Sequence, residues 1–305
     1  MPPLPPSLSQ QAGQPPEVDP LQAFVQRNGG EYFDAELIAG IRQLGRKLAD
    51  DSQRPDLAYR FTVLDRTEPE LHVFPKGQIL LTRGLLIRIS DARQLSDLLA
   101  FAIADAASAP SAGQHQLNLE LFLAGPGQSS ETATVAAANR AQLDAMLAGL
   151  QQNRHGYELY ESARRREAAG DLSGAISGYL QAATAAPDQP KILTGLGLAY
   201  LLAGDPRSAR VHLQGAIRLQ PAYYLSRMGL GYVDLQLGRY GEAIAELEKS
   251  LQLLPVARNR FLLAESYEKN GQPENAVPLY RAVARADEHG KLGRTAAQRL
   301  QQLEN

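Results

Sequence analysis

The chain has no cysteine among its 305 residues, which excludes disulfides, thiolate zinc sites and a cysteine nucleophile. It has little net charge, −2 at pH 7 with the signs interspersed, so no field draws in nucleic acid or acidic lipid. No apolar run approaches the ~18 residues of a membrane-spanning helix. Neither a GxSxG string nor a phosphate-binding loop occurs. The five histidines, His72, His115, His155, His212 and His289, show no HxxxH or HxH spacing and read as loop or surface residues. The start of the chain has no basic region followed by an apolar one, so it does not read as a signal peptide.

What is present divides the chain. At about 150 residues per domain, two domains are expected, and 44% hydrophobic content gives each a core. Residues 1–20 carry seven prolines among Ser, Gln and Gly. That density builds neither helix nor strand, so a disordered or polyproline-like tail is expected.

From Leu21 to Asp51, apolar Leu37, Ile38, Ile41, Leu44 and Leu48 mark an amphipathic helix. Alternation predicts a strand over Tyr59–Asp65. Two more follow at Leu71–Phe74 and Ile79–Thr82, separated by the turn residues Pro75, Lys76 and Gly77. Leu95, Leu98, Leu99, Ala102, Ile103 and Ala106 then form a helical face. With little polar character on any side from Leu98 to Ala107, this helix is expected to be central. Leu117, Leu119 and Leu121 alternate as a half-buried strand, and a helix runs through Leu143, Met146, Leu147 and Leu150.

From Gly156 the chain repeats itself. Gly170, Gly204, Gly238 and Gly271 are spaced 34, 34 and 33 residues apart, and Ala175, Ala209, Ala243 and Ala276 keep step. Pro187, Pro221 and Pro255 mark the ends of three units. A small residue (Gly197, Gly231, Ala264) sits where two helices of one unit must approach closely. The second Ala admits the next helix, and the Gly before it permits a turn. Gly195-Leu196-Gly197 lacks a third glycine and is packing, not a nucleotide loop. Arg164-Arg165-Arg166 lies among glutamates and reads as a solvated helix face. The pattern resembles the tetratricopeptide repeat, a helix–turn–helix unit of 34 residues. Lys291–Asn305 reads as a capping helix.

The front half resembles the HtpX/BepA-type zinc metallopeptidases that end in such repeats. The resemblance rests on RQLGRKLAD, YRFTVLD, the Pro75/Gly77 turn, TRGLL (Thr82–Leu86) and LSDLLAFAIADA. It implies an α+β zincin-like N-terminal domain followed by an all-α tetratricopeptide-repeat solenoid. In that family the last segment carries His-Glu-x-x-His, two zinc ligands flanking the general base. Here Phe101, Ala102 and Asp105 stand at those three positions. Asp105 offers one carboxylate, with no histidine near it in sequence, whereas a catalytic zinc takes three protein ligands. Phe101 is expected to fill part of the vacated volume.

The organisation expected is a tail (1–20), a degenerate metallopeptidase-like domain (21–153), four repeats (154–290) and a capping helix (291–305). By analogy with other tetratricopeptide arrays, the first helices line a groove for a protein or peptide. Its expected residues are Tyr157, Tyr160, Arg164, Lys191, Thr194, Met228, Tyr232, Gln236, Arg258, Phe261, Glu265 and Lys269, with the tyrosines exposed. No cofactor or metal is expected. The functional expectation is a non-catalytic scaffold; the resemblance implies export to the periplasm and work in envelope protein assembly. The alternatives are an active endopeptidase with relocated or partner-supplied ligands, and a cytoplasmic repeat adaptor.

Overall fold

A computed structural model describes residues 19–108, 115–119 and 137–304, with side chains from residue 140 in the last stretch. The proline-rich tail up to residue 18 and Leu121 lie outside the described residues. The chain divides into two compact units, Arg27–His155 and, in the other, the residues up to Gln26 together with Gly156 onward. The first helix, α1 (Pro20–Arg27), therefore precedes the front unit in sequence yet groups up to Gln26 with the repeats.

The expected helix over Leu21–Asp51 is two helices. Gly29 and Gly30 adopt φ of 99° and 79°, left-handed values that cost glycine least, and α2 (Ala35–Asp50) begins afresh. Asp34 caps it, its carboxylate accepting from the Leu37 N–H at 3.0 Å. Three strands follow: β1 (Arg60–Leu64), β2 (Leu71–Phe74) and β3 (Gln78–Thr82). The turn Pro75–Gly77 puts Lys76 and Gly77 at φ 64° and 76°, so β2 folds back antiparallel on β3. β3 pairs parallel with β1, and β2 pairs antiparallel with a short β4 (His115–Gln116). The sheet order is β1-β3-β2-β4. The strand expected over Leu117–Leu121 is corrected. The ladder register ends at Gln116, one further bond runs from the Leu117 N–H to the Leu71 carbonyl at 2.9 Å, and Leu117 and Leu119 are buried without strand structure.

At the end of β3, Thr82 caps a single-turn helix, α3 (Arg83–Leu86), by accepting from the Leu85 N–H. The next helices are α4 (Ala92–Ser108) and α5 (Ala137–Gln152). Asp144 on α5 accepts the Ala92 N–H at 2.7 Å and so ties the start of α4 to α5. α2, α4 and α5 pack on one another, with α2 also against β1 and α4 against β2 and β3. Gly84 sits where the chain leaves the sheet. A Cβ there would overlap the backbone carbonyl of Thr67, an atom with no side-chain freedom to yield. Gly84→Ala is therefore expected to cost the front unit about 3 kcal/mol. Urea unfolding followed by hydrogen exchange at 27–155 measures it, and a loss below about 1 kcal/mol contradicts this packing.

The repeats are helix pairs: α6 (Arg154–Ala168) with α7 (Leu172–Ala185), and α8 (Pro190–Leu202) with α9 (Pro206–Leu219). α10 (Tyr224–Gln236) pairs with α11 (Tyr240–Leu253), and α12 (Ala257–Lys269) with α13 (Pro273–Ala286). Gly170, Gly204, Gly238 and Gly271 take φ of 83°, 82°, 73° and 75°, each ending the first helix of a pair. Added Cβ atoms at Gly197 and Gly231 would meet Leu213 and Leu247 at 2.7 and 2.5 Å, so both glycines allow close approach of paired helices. A last helix, α14 (Lys291–Glu304), packs on α13 and α12. Its Leu292, Leu300 and Leu303 lie on the core around Leu247, Leu263 and Tyr280, and Arg299 pairs with Glu268.

Candidate functional site

The front unit places the degenerate positions on α4, but not as expected. Ala102 is fully buried, whereas Phe101 is 40% exposed. The helix buries Leu95, Leu98, Leu99, Ala102, Ile103 and Ala106 against its neighbours and leaves Phe101, Ala104 and Ser108 exposed. Phe101 therefore does not fill a vacated cleft, and α4 is not surrounded. Apolar residues on every side of the sequence concealed which side was open. Asp105 does find a histidine: its Oδ2 lies 2.7 Å from His115 Nε2 on β4, a pairing across ten residues that spacing rules do not see. Nor is His72 a loop or surface histidine. It is buried in β2, with Nε2 3.1 Å from Glu70 Oε2.

The described residues do not fit a catalytic zinc. The position of the general base is a buried alanine, and Asp105 and His115 make two ligands where three are needed. Among the described residues no group of three His, Cys, Asp or Glu side chains could hold a metal ion.

In the repeats the first helices lie side by side, α8 against α10, α10 against α12 and α12 against α14. Their aligned positions form one surface, but three of the expected groove residues are structural. Tyr157 is buried and donates its hydroxyl to Gln189 Oε1 at 2.6 Å. Tyr160 is buried against Tyr179, ring centroids 5.5 Å apart, with Lys191 Nζ and Arg164 Cζ at 5.9 and 6.0 Å from its ring. Thr194 is buried, bonded to Ser226 Oγ at 2.7 Å and to the Pro190 carbonyl. These side chains join adjacent units instead of facing a ligand.

The remaining positions keep surface. Arg164, Gln236, Arg258 and Lys269 are exposed; Lys191, Met228, Tyr232, Phe261 and Glu265 are half-buried. Met228, Tyr232 and Phe261 also pack on the last core cluster, and Phe261 meets Tyr280 edge-on at 5.5 Å. The surface thus offers rigidly held apolar side chains among four basic groups and one acid. Nearby, Asp234 is 1% exposed and takes a 2.7 Å bond from Arg210 Nε, and burial pushes its carboxyl up. His212 stacks on Tyr200 at 5.4 Å, and burial pushes its imidazole down. Sequence reasoning missed one further feature of this unit: Gln26 of α1 lies on the α9–α10 loop.

Three overlapping stretches, 155–222, 194–258 and 228–291, match the tetratricopeptide-repeat family model. The C-terminal part is a tetratricopeptide-repeat solenoid. Among solved structures, these repeats are similar to MamA from Desulfovibrio magneticus RS-1, at 20% identity over 49% of this chain and 93% of that one, TM-score 0.42. They are also similar to the first tetratricopeptide domain of Spaghetti (RPAP3) bound to an HSP90 peptide, at 21% identity over 39% and 95%, TM-score 0.38. The Sgt2 tetratricopeptide domain from Aspergillus fumigatus matches at 22% identity over 39% and 80%, TM-score 0.38. No curated protein matches the chain. Among the described residues no helix is long and apolar enough to cross a membrane.

Proposed function

We propose that this chain is a non-catalytic scaffold whose tetratricopeptide repeats hold a protein or peptide partner. The observation that carries this reading is the row of first-helix side chains left over once the core is satisfied. Arg164, Arg258 and Lys269 are exposed beside half-buried Met228, Tyr232 and Phe261. Fixed apolar anchors ringed by charge are what a polypeptide interface needs, and the excess of basic groups favours an acidic segment. On the sequence resemblance, the front unit is read as a metallopeptidase-like domain without the chemistry, since Ala102 stands at the position of the general base. Placement in the bacterial envelope, in protein assembly or quality control, rests on that resemblance alone.

A full chain carrying Arg258→Glu and Lys269→Glu tests the binding surface. These side chains are exposed, so thermal unfolding is expected to stay unchanged while capture of the partner seen with the parent chain falls at least about tenfold. Equal capture by both chains rules out this surface. Elemental analysis with a casein digestion assay tests the other half; stoichiometric zinc with chelator-sensitive cleavage sinks the non-catalytic reading.

A further inference from the structure

One buried side chain of the repeats is left unbonded by the fold. Asn259 on α12 is 0% exposed, and neither its Oδ1 nor its Nδ2 has a hydrogen-bond partner among the described residues. A buried carboxamide without partners is costly, and the fold does not demand a polar residue here. The register set by Leu196-Gly197, Leu230-Gly231 and Leu263-Ala264 puts Ile192 and Ser226 at the same place in the two preceding units, both 0% exposed. Ile192 is apolar, and the Ser226 hydroxyl is bonded to Thr194 Oγ1 at 2.7 Å. Of the three, Asn259 alone keeps an unmet donor and acceptor.

Its place is beside the row of side chains left open on the first helices. The bond between Thr194 and Ser226 shows which positions meet across adjacent first helices, and one unit on the same two positions hold Met228 and Asn259. α10 and α12 pack side by side there, and Met228 lies on the core cluster that includes Leu262 and Leu263 of α12. A thioether is a weak acceptor and no donor, so Met228 sits over the carboxamide without satisfying it. Met228 is itself half-buried, and Asn259 follows exposed Arg258 and precedes half-buried Phe261 on α12. A methionine side chain is unbranched and re-packs readily. When it turns aside, the carboxamide opens onto the same surface as Arg258 and Phe261.

We infer that Asn259 is a recognition residue of the partner surface, lying under Met228 and bonding the main chain of an extended partner segment. Its Nδ2 donates to a peptide carbonyl and its Oδ1 accepts a peptide N–H, the complement a carboxamide offers to any backbone and to no particular side chain. This rests on the reading of the repeats as a polypeptide-binding surface and adds a division of labour to it. Arg258 and Lys269 select an acidic segment by charge, while Asn259 holds its main chain in place. Because Met228 must turn aside first, the apparent affinity is lowered by the fraction of time the carboxamide is covered. Two neutral hydrogen bonds gained in a site that excludes water are worth about tenfold in affinity.

The probe is a fluorescein-labelled short peptide of alternating glutamate and leucine, together with a series N-methylated at one peptide bond each. It is titrated into the full chain, into Asn259→Leu and into the chain carrying Arg258→Glu and Lys269→Glu. Asn259→Leu is expected to bind about tenfold more weakly than the parent, while its unfolding temperature is unchanged or higher, since an unbonded carboxamide has given way to an apolar side chain of similar size. One N-methyl position is expected to cost the parent about tenfold and Asn259→Leu nothing. Equal affinity of the parent and Asn259→Leu overturns the inference; a stability gain with that result means the carboxamide holds a buried water only. The surface reading survives that outcome if the charge-reversed chain binds more weakly, and fails by itself if the charge-reversed chain binds like the parent while Asn259→Leu does not. A parent chain that does not bind the probe overturns both. Should the leucine variant not fold, Asn259→Ser, the residue of the preceding unit, takes the same readings; failure of both makes Asn259 a structural residue and also overturns the inference.

Discussion

Replacing Arg83 with methionine is expected to destabilise the front unit severely while leaving the stability of the repeats unchanged. Arg83 is the largest fully buried side chain among the described residues, 1% exposed, and its Nε donates to Asp65 Oδ1 at 2.8 Å. Asp65 is itself buried, and its N–H is committed to the Gly30 carbonyl. Tyr32 lies close by, and burial, then Asp34 and Asp65, hold its phenol well above the usual range. Removing the guanidinium leaves the Asp65 carboxylate in a site that water does not reach, at a cost of about 3–5 kcal/mol. Whole domains are stable by only about 5–15 kcal/mol. Hydrogen exchange should show amides across 27–155 opening while those of 156–304 keep their rates.

A second substitution decides whether the loss is electrostatic. Asp65→Leu added to Arg83→Met removes both charges at similar volume, and such replacements are often neutral or better. The double variant is therefore expected to recover most of the stability. If Arg83→Met alone loses less than about 1 kcal/mol, or the double variant is no more stable than the single one, the ion pair is not what holds this corner. Arg83 and Gly84 are adjacent in TRGLL, so one pentapeptide carries both the buried guanidinium and the close backbone approach to Thr67.

The repeats were legible in the sequence because each periodic residue answers a separate geometric demand. The glycines with positive φ, the small residues against Leu213 and Leu247, and the alanines between helices all recur at one spacing. Their groove was less legible. A polar residue on the first helix keeps the same period whether it meets solvent or the next unit, so Tyr157, Tyr160 and Thr194 look like binding residues until Gln189, Tyr179 and Ser226 are seen beside them. In the front unit, the strands and turn follow from alternation and from Pro75-Lys76-Gly77. The open side of α4 does not, because its apolar residues are spread around the helix. Pairings such as Asp105 with His115 and Gln26 with Ala222 depend on tertiary folding, which no local rule reports.

Three tyrosines, Tyr179 and Tyr280 buried and Tyr267 half-buried, set an alkaline limit on the repeats. The hydroxyls of Tyr179, Tyr267 and Tyr280 donate to Glu167, Glu248 and Glu268 at 2.7, 2.6 and 2.9 Å. Burial first, and then the facing carboxylate, push each phenol far above its ordinary value of 10.0. Arg164 near Tyr179 and Arg299 near Tyr280 offset this only in part. In the unfolded chain these phenols ionise near pH 10, while in the folded chain they keep their protons. Above pH 10 the unfolded state thus binds fewer protons, and stability must fall as pH rises. Their contribution is complete below pH 10 and is lost as pH climbs toward the folded values. Tyr179 and Tyr280 each remove about 1 kcal/mol between pH 10 and 11, and half-buried Tyr267, screened by solvent, removes less, so the three together remove about 2–3 kcal/mol. Tyr280→Phe should lessen the alkaline loss by about a third. The same variant should lower stability at neutral pH by about 1.5–3 kcal/mol, because it gives up a hydrogen bond to a charged group. Urea midpoints from pH 7 to 11, read alongside phenolate absorbance, separate these effects. An alkaline loss unchanged in a chain with all three tyrosines replaced by phenylalanine would show that these phenols do not carry it.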